Sequence, residues 1–329
     1  MEMRSLGNTG LYVSRLALGT MTWGGATDEY DAHDQLRTFL DAGGTFVDTA
    51  DVYGHGMSEG ILGRVLAELG VRDQVVLATK AVSVRPDPRR FNASRAHLLT
   101  ALDRSLARLG VDHVDLWQLH AWDPLTPLDE TLGAVDAAVR SGRVRYAGIS
   151  NYSGWQLARA ATVQSERRGS APLVSAQMEY SLLQRGIERE VLPAAHEFGI
   201  GILPWSPLGR GVLTGKYRAG IPAGSRATTE EYGAFVEEFL TPTHARIIDA
   251  VVTAANGLNS TPLEVALAWV RDRPGVVAPI VGARTTAQLA AALTSEELVL
   301  PAEITSALDE VSAPHRGYPE FGWNQRGEQ

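Results

Sequence analysis

Short apolar or β-branched runs alternate along this chain with amphipathic stretches of roughly ten residues or more, the pattern that builds a parallel sheet with crossover helices. Eight runs read as strands, at 16–19, 45–48, 75–80, 114–120, 144–149, 173–177, 200–204 and 276–281. Helix starts are marked by side-chain acceptors at Ser58, Asn92, Ser153 and Thr261, the last followed by Pro262, because a cap oxygen and a first-turn proline suit an N-terminus. Eight strand-helix units predict an α/β fold, a (β/α)8 TIM barrel occupying 1–329 as one domain. Two segments break the alternation. The opening stretch around Gly7-Asn8-Thr9-Gly10 predicts an N-terminal β-hairpin that plugs the barrel's lower mouth. The stretch from Ser206 to Leu240, rich in Gly, Arg, Thr and Glu, predicts a long loop after strand seven, at the end where such barrels gather their chemistry.

Composition narrows the function classes. With 44% hydrophobic residues in 329, the chain can bury a core without staples. Its 38 acidic and 30 basic residues leave a net charge of -8, and no run of Lys/Arg forms a basic patch, which argues against nucleic acid. Zero cysteines exclude thiol chemistry and thiolate metal sites and fit a cytoplasmic protein. The N-terminus lacks a signal-peptide stretch and no apolar run approaches a membrane span, so no membrane partner is expected.

Four polar residues carry the candidate chemistry. Asp48, Lys80 and His120 end the second, third and fourth runs, and Tyr53 lies just beyond the second. Period-two alternation puts Ala78 with Lys80, and Leu116 with Gln118 and His120, on one side of their strands, as in a packed lumen with a polar rim. An ammonium ending an apolar strand needs a partner, and Asp48 is the natural one. A cation beside Tyr53 stabilises phenolate and lowers a pKa that starts near 10, making the phenol a proton donor near neutral pH. His120 can orient or polarise a carbonyl. Each residue alone has a structural explanation; their coincidence on successive strand ends favours a site that stabilises an oxyanion and supplies a proton, with neither nucleophile nor metal. The other histidines, such as His33, His97 and His196, show no metal-ligand spacing. Gly54-x-Gly56 with Gly60, and Gly209-x-Gly211, do not make a dinucleotide fingerprint, which should open a helix directly after its strand.

The stretches FVDTADVYGHGMSE, VVLATK, VDLWQLH, YAGISNYS, SAQMEYSLL and LPWSPLGRGVLTGKY, in this order, make the chain resemble the aldo-keto reductases over nearly its whole length. The resemblance implies that Tyr53 is the general acid, that Lys80 and Asp48 tune it, and that His120 orients the carbonyl. It implies NADP(H) stretched across the C-terminal mouth: Gly19, Thr20, Met21 and Asp48 beside it, Ser150, Asn151 and Gln177 on the carboxamide, and Trp205 stacked on the nicotinamide. Ser206, Leu208, Gly209, Gly211, Lys216 and Arg226 would line the pyrophosphate under the long loop. Gly282 and Arg284 would meet the ribose 2'-phosphate and Gln288 the adenine side. Lys216, Arg226 and Arg284 would give an acidic chain three cations for a phosphate-rich ligand. Relatives with this ending usually carry Glu and Asn where this chain has Ala291 and Ala292, so its adenine recognition is expected to be weaker or differently built. A small-molecule carbonyl is the implied substrate, with Tyr53, His120, Trp23, Trp122 and the terminal Phe321 and Trp323 available to bind it, in a monomer or homo-oligomer. Two other functions remain open: a cofactor-binding regulatory subunit resembling potassium-channel accessory subunits, with little turnover, and a barrel enzyme of phosphate-ester or sugar isomerisation.

Overall fold

The computed structural model describes residues 1–84, 89–229, 233–315 and 317. Among these described residues ten strands are formed: β1 (Met3–Ser5), β2 (Tyr12–Ser14), β3 (Ala17–Gly19), β4 (Phe46–Asp48), β5 (Val76–Ala81), β6 (Val114–Leu119), β7 (Val144–Ser150), β8 (Leu173–Glu179), β9 (Gly201–Trp205) and β10 (Ile280–Gly282). β3 to β10 form one parallel sheet in the order β10-β3-β4-β5-β6-β7-β8-β9. A bridge between Ile202 and Val276 closes it, with Val277 N donating to Ile202 O at 2.9 Å and Ile202 N to Gly275 O at 3.0 Å. The eighth predicted run is thus split. Its start bonds β9, its end bonds β3, and Pro279, which has no N–H to give, sits between while its carbonyl accepts from Ala17 N.

The barrel interior holds Ala17, Phe46, Ala78, Leu116, Val174, Leu203, Val277 and Ile280, packed with Leu6 and Val13 of the opening segment. The alternating residues Leu18, Val47, Leu77 and Trp117 pack outward in the larger cluster with the helices. The predicted plug is present: β1 and β2 pair antiparallel, Met3 opposite Ser14, and Leu6 is fully buried. Gly7 makes that close approach possible. Its φ is +59°, and a Cβ there would lie 2.6 Å from Gly199 O and Val174 O.

Two helix starts shift from their predicted positions. The helix Arg95–Leu109 is capped by Ser94, not Asn92, which instead accepts from Ser94 N. The helix Met57–Leu69 starts after Gly56, and Ser58 lies inside it with its hydroxyl turned into the structure. Ser153 and Thr261 do stand at the N-caps of their helices, Thr261 in a reciprocal box with Glu264 and Ser153 with its N–H donating to Gln156 Oε1 at 2.9 Å. The stretch after β9 is more ordered than its composition suggests. It forms 3-10 turns at Gly209–Thr214 and Arg226–Thr228 and a short helix at Gly233–Glu237, held down by buried Val212, Leu213, Tyr217, Val236 and Phe239.

Because Leu6 seals the barrel floor, Leu6→Ala should lower unfolding free energy in urea by about 2–5 kcal/mol, the cost of a large-to-small change at a site that cannot collapse.

Candidate active site

The upper barrel is polar where the lower is apolar. One residue pair beyond Phe46 and Ala78 on the same face stand Asp48 and Lys80, both essentially without solvent exposure. Lys80 Nζ donates to Asp48 Oδ2 at 2.6 Å, to the Thr49 carbonyl at 2.8 Å and to the Tyr53 hydroxyl at 3.2 Å. All three ammonium protons are used. The other Asp48 oxygen accepts from Gln177 Nε2 at 2.8 Å and Gln118 Nε2 at 3.2 Å. The buried pair therefore has the extra hydrogen bonds that such a pair needs to offset its desolvation.

Tyr53 is placed by a turn, since β4 ends at Asp48. The 3-10 segment Tyr53–Gly56 runs through left-handed Gly54, His55 and Gly56, which reverses the chain within a few residues. Ser58 then pins the turn, its hydroxyl bonded to Thr20 Oγ1, Thr49 Oγ1 and the Thr20 carbonyl. The His120 ring meets Tyr53 edge-on, with centroids 6.0 Å apart. The four candidate residues do converge.

The electrostatics differ from the expectation in one respect. Burial pushes the Tyr53 phenol above its ordinary value; Lys80 pulls it down as anticipated, but not enough, and Asp48 pushes it up again. Burial acts against the Lys80 ammonium too, yet Asp48 and the phenol outweigh it and its pKa is raised. The arrangement is a neutral phenol hydrogen-bonded to a permanent cation. Asp51, two residues before Tyr53, was not singled out by its sequence position. Burial pushes its carboxyl up to about 7, Glu59 pushes the same way, and Arg108, the Val52 N–H and Lys80 pull back.

Asp48, Tyr53 and His120 line one cavity of about 850 Å³, large for a small-molecule site. Its wall also takes in Gly19, Met21, Ser150, Asn151, Gln177, Trp205, Ser206, Leu208, Gly211, Lys216, Arg226, Gly282, Arg284 and Gln288, as expected, and Ala292. Ser150 donates to the Gln177 carbonyl at 2.8 Å, and Trp205 Nε1 donates to Asn151 Oδ1 at 3.0 Å, so this end is prearranged. At the far end Arg284 donates to the Gly224 carbonyl, and Gln288 Oε1 accepts from Arg284 N. Lys216, Arg226 and Arg284 line the same cavity from three separate segments, which suits a polyphosphate ligand.

Four expected contacts lie behind the wall. Thr20 is buried beneath Asp48, bonding its carbonyl and Ser58. Gly209 packs on Leu183, so its role is to turn the chain. Trp23 is a core residue whose Nε1 donates to Gln35, and Trp122 packs edge-on against Tyr152 and Trp155. Val52, Arg90, Phe91 and Ala121, not singled out in the sequence, line the cavity instead. Phe321 and Trp323 lie outside the described residues.

Phe235 and Arg210 are among the wall residues that went unnoticed in sequence. Phe235 stacks parallel to Trp205, centroids 6.3 Å apart, and Arg210 lies 3.4 Å over the Phe235 ring while bridging Glu179 at 2.8 Å and Glu238 at 2.7 Å. The one available signal was an aromatic residue in an otherwise polar stretch.

The Aldo/keto reductase family model matches residues 15–313. The chain belongs to the aldo/keto reductase family. It is similar to the uncharacterised oxidoreductase YrpG of Bacillus subtilis, 39% identical over 98% of this chain and 100% of that one. It is also similar to the aldo-keto reductase YhdN of the same organism, 35% identical over 88% of this chain and 87% of the relative. A probable voltage-gated potassium channel subunit beta of Oryza sativa subsp. japonica is 34% identical over 97% of this chain and 98% of its own. The comparisons make this member an oxidoreductase, and among its described residues no helix is long and apolar enough to cross a membrane.

Folded Asp51 holds a proton up to about pH 7, whereas an unfolded one releases it near 3.8. Folding is thus opposed increasingly as pH rises between those values. Asp51→Asn should gain stability over the wild type with pH, the gap in denaturant titrations widening by on the order of 2–3 kcal/mol between about pH 5 and pH 8.

Proposed function

We propose that this aldo/keto reductase reduces an aldehyde or ketone to the alcohol with NADPH, using Tyr53 as the acid. The observation that carries the proposal is the position of Lys80 Nζ, shared between Asp48, Thr49 O and the Tyr53 hydroxyl, directly behind the Asp48 and Tyr53 wall of a cavity that is also lined by the cations Lys216, Arg226 and Arg284. A reduced nicotinamide bound there would supply a hydride to the carbonyl carbon. Tyr53 donates its hydroxyl proton to the carbonyl oxygen, which becomes an alkoxide-like base far stronger than phenolate, so a phenol raised above its ordinary value still gives up the proton readily. Lys80 stabilises the phenolate left behind, and Asp48 holds Lys80 charged and in place. His120, whose ring meets Tyr53 edge-on, orients the carbonyl oxygen. Gln177 and Asn151 would hold the carboxamide, and Trp205 one face of the ring. The stacked Phe235 would close that end.

NADPH is favoured over NADH because Arg284 lines the cavity on a separate segment from Lys216 and Arg226, leaving a cation for a further phosphate. The apolar Leu263 and Ala292 in the wall suit the flat face of adenine without base-edge hydrogen bonds. The substrate end mixes apolar side chains with Arg90, which fits small carbonyl compounds. A second reading rests on the plant relatives named as probable potassium channel subunit beta, at 34% and 33% identity. It makes the chain a cofactor-binding regulatory subunit with little turnover. Steady NADPH oxidation with a generic aldehyde supports the enzyme; tight NADPH binding without oxidation supports the subunit.

Tyr53→Phe should leave NADPH binding nearly intact and lower kcat by about 10²–10⁴-fold. Retention of more than about a tenth of wild-type kcat with chemistry rate-limiting would remove Tyr53 from the role. Arg284→Ala should raise Kd for NADPH by about 10–100-fold, the worth of a charge-assisted hydrogen bond, while changing NADH binding little. Equal losses for both cofactors in a fluorescence titration would place the 2'-phosphate elsewhere.

A further inference from the structure

The turn that carries Tyr53 rests on a second group of buried and part-buried charges, which the proposed chemistry does not use. Behind β5, Glu59 of the helix Met57–Leu69 accepts from Thr79 Oγ1 at 2.6 Å and from Arg108 Nε at 2.7 Å. Arg108, of the helix Arg95–Leu109, lies against Gly56, where a Cβ would come within 2.9 Å of its Cδ and Nε. Asp51 enters the same space from the turn, its N–H bonded to the Lys80 carbonyl. Its Oδ1 is buried with no hydrogen-bond partner among the described residues.

Charge counting singles out Asp51. Asp48 matches Lys80 and Glu59 matches the part-buried Arg108, so this group of charges balances only when Asp51 is neutral. The groups whose charges act on it are Glu59, Arg108 and Lys80, one acid and two bases, and both bases already serve other carboxylates. An ionised Asp51 adds an unmatched negative charge beside Tyr53 and weakens the phenol as an acid.

We propose that Asp51 is a positioning residue whose protonation sets the strength of Tyr53 as proton donor, so that carbonyl reduction slows when Asp51 ionises. This rests on the reductase reading above, and its consequence falls in the neutral range because the Asp51 carboxyl titrates at about 7. Reduction would be favoured on the acid side, where the buried charges are matched.

The coupling can be read without cofactor. In protein labelled with 13C at tyrosine Cζ, the Tyr53 signal, assigned by its loss in Tyr53→Phe, should shift with an inflection near pH 7 and be flat in Asp51→Asn. A flat wild-type signal overturns the proposal. So does an inflection that survives in Asp51→Asn. The kinetic arm follows single-turnover NADPH oxidation by stopped flow. The wild-type rate constant should fall by about two- to five-fold through the same inflection, as for an acid whose strength changes modestly, and both Asp51→Asn and the second neutral variant Asp51→Ser should lose the step. A step retained in both variants overturns the proposal. An NMR inflection removed by Asp51→Asn, together with no carbonyl reduced at all, sinks the reductase reading and leaves the Asp51–Tyr53 coupling standing.

Discussion

A single buried ammonium organises the upper half of this barrel. Lys80 has no solvent exposure, and its protons go to a carboxylate on the neighbouring strand, a carbonyl just beyond that strand and a phenol on the following turn. Leaving such a charge unpaired costs roughly 3–5 kcal/mol, so the three acceptors are fixed relative to each other by the penalty for moving any one. Asp48 is in turn held by two glutamines, from β6 and β8. The site is therefore rigid because its charges must be satisfied, and satisfaction reaches across five of the eight barrel strands' worth of wall, from β4 to β8.

The fold supplies what that network requires. A floor of Leu6, Phe46, Leu116 and Leu203 keeps water out from below, which strengthens each hydrogen bond above it. The segment after β9 does comparable work over the cavity's other end. Arg210 ties the turn Gly209–Thr214 to β8 through Glu179 and to the helix Gly233–Glu237 through Glu238 and the Phe235 carbonyl. Its positive φ is strain held in place by those partners. The same arginine presents Phe235 to Trp205, so the shape of this end of the cavity depends on one side chain.

Much of the architecture was legible because it obeys two periods. Phe46 and Asp48, Ala78 and Lys80, Leu116 and Gln118 alternate as strands must, and each strand-end polar residue reached the cavity or the network beneath it. The misses follow local competition. Ser58 reads as a cap, but its hydroxyl is worth more pinning the Tyr53 turn, and Gly56 starts the helix. Trp23 and Trp122 follow strand ends and invited a substrate role, yet flat aromatic rings beside a barrel bury themselves against neighbours: one reaches Gln35, the other joins Tyr152 and Trp155.

By itself the sequence determined the order of strands and helices, the identity of the four converging residues, and the family, because periodicity and motif spacing are local properties of the chain. Tertiary structure alone decided the direction in which the Tyr53 phenol shifts, the unmatched charge of Asp51 and the clamp of Arg210 on Phe235. Those depend on desolvation and on distances between groups dozens of residues apart, which no spacing along the chain encodes.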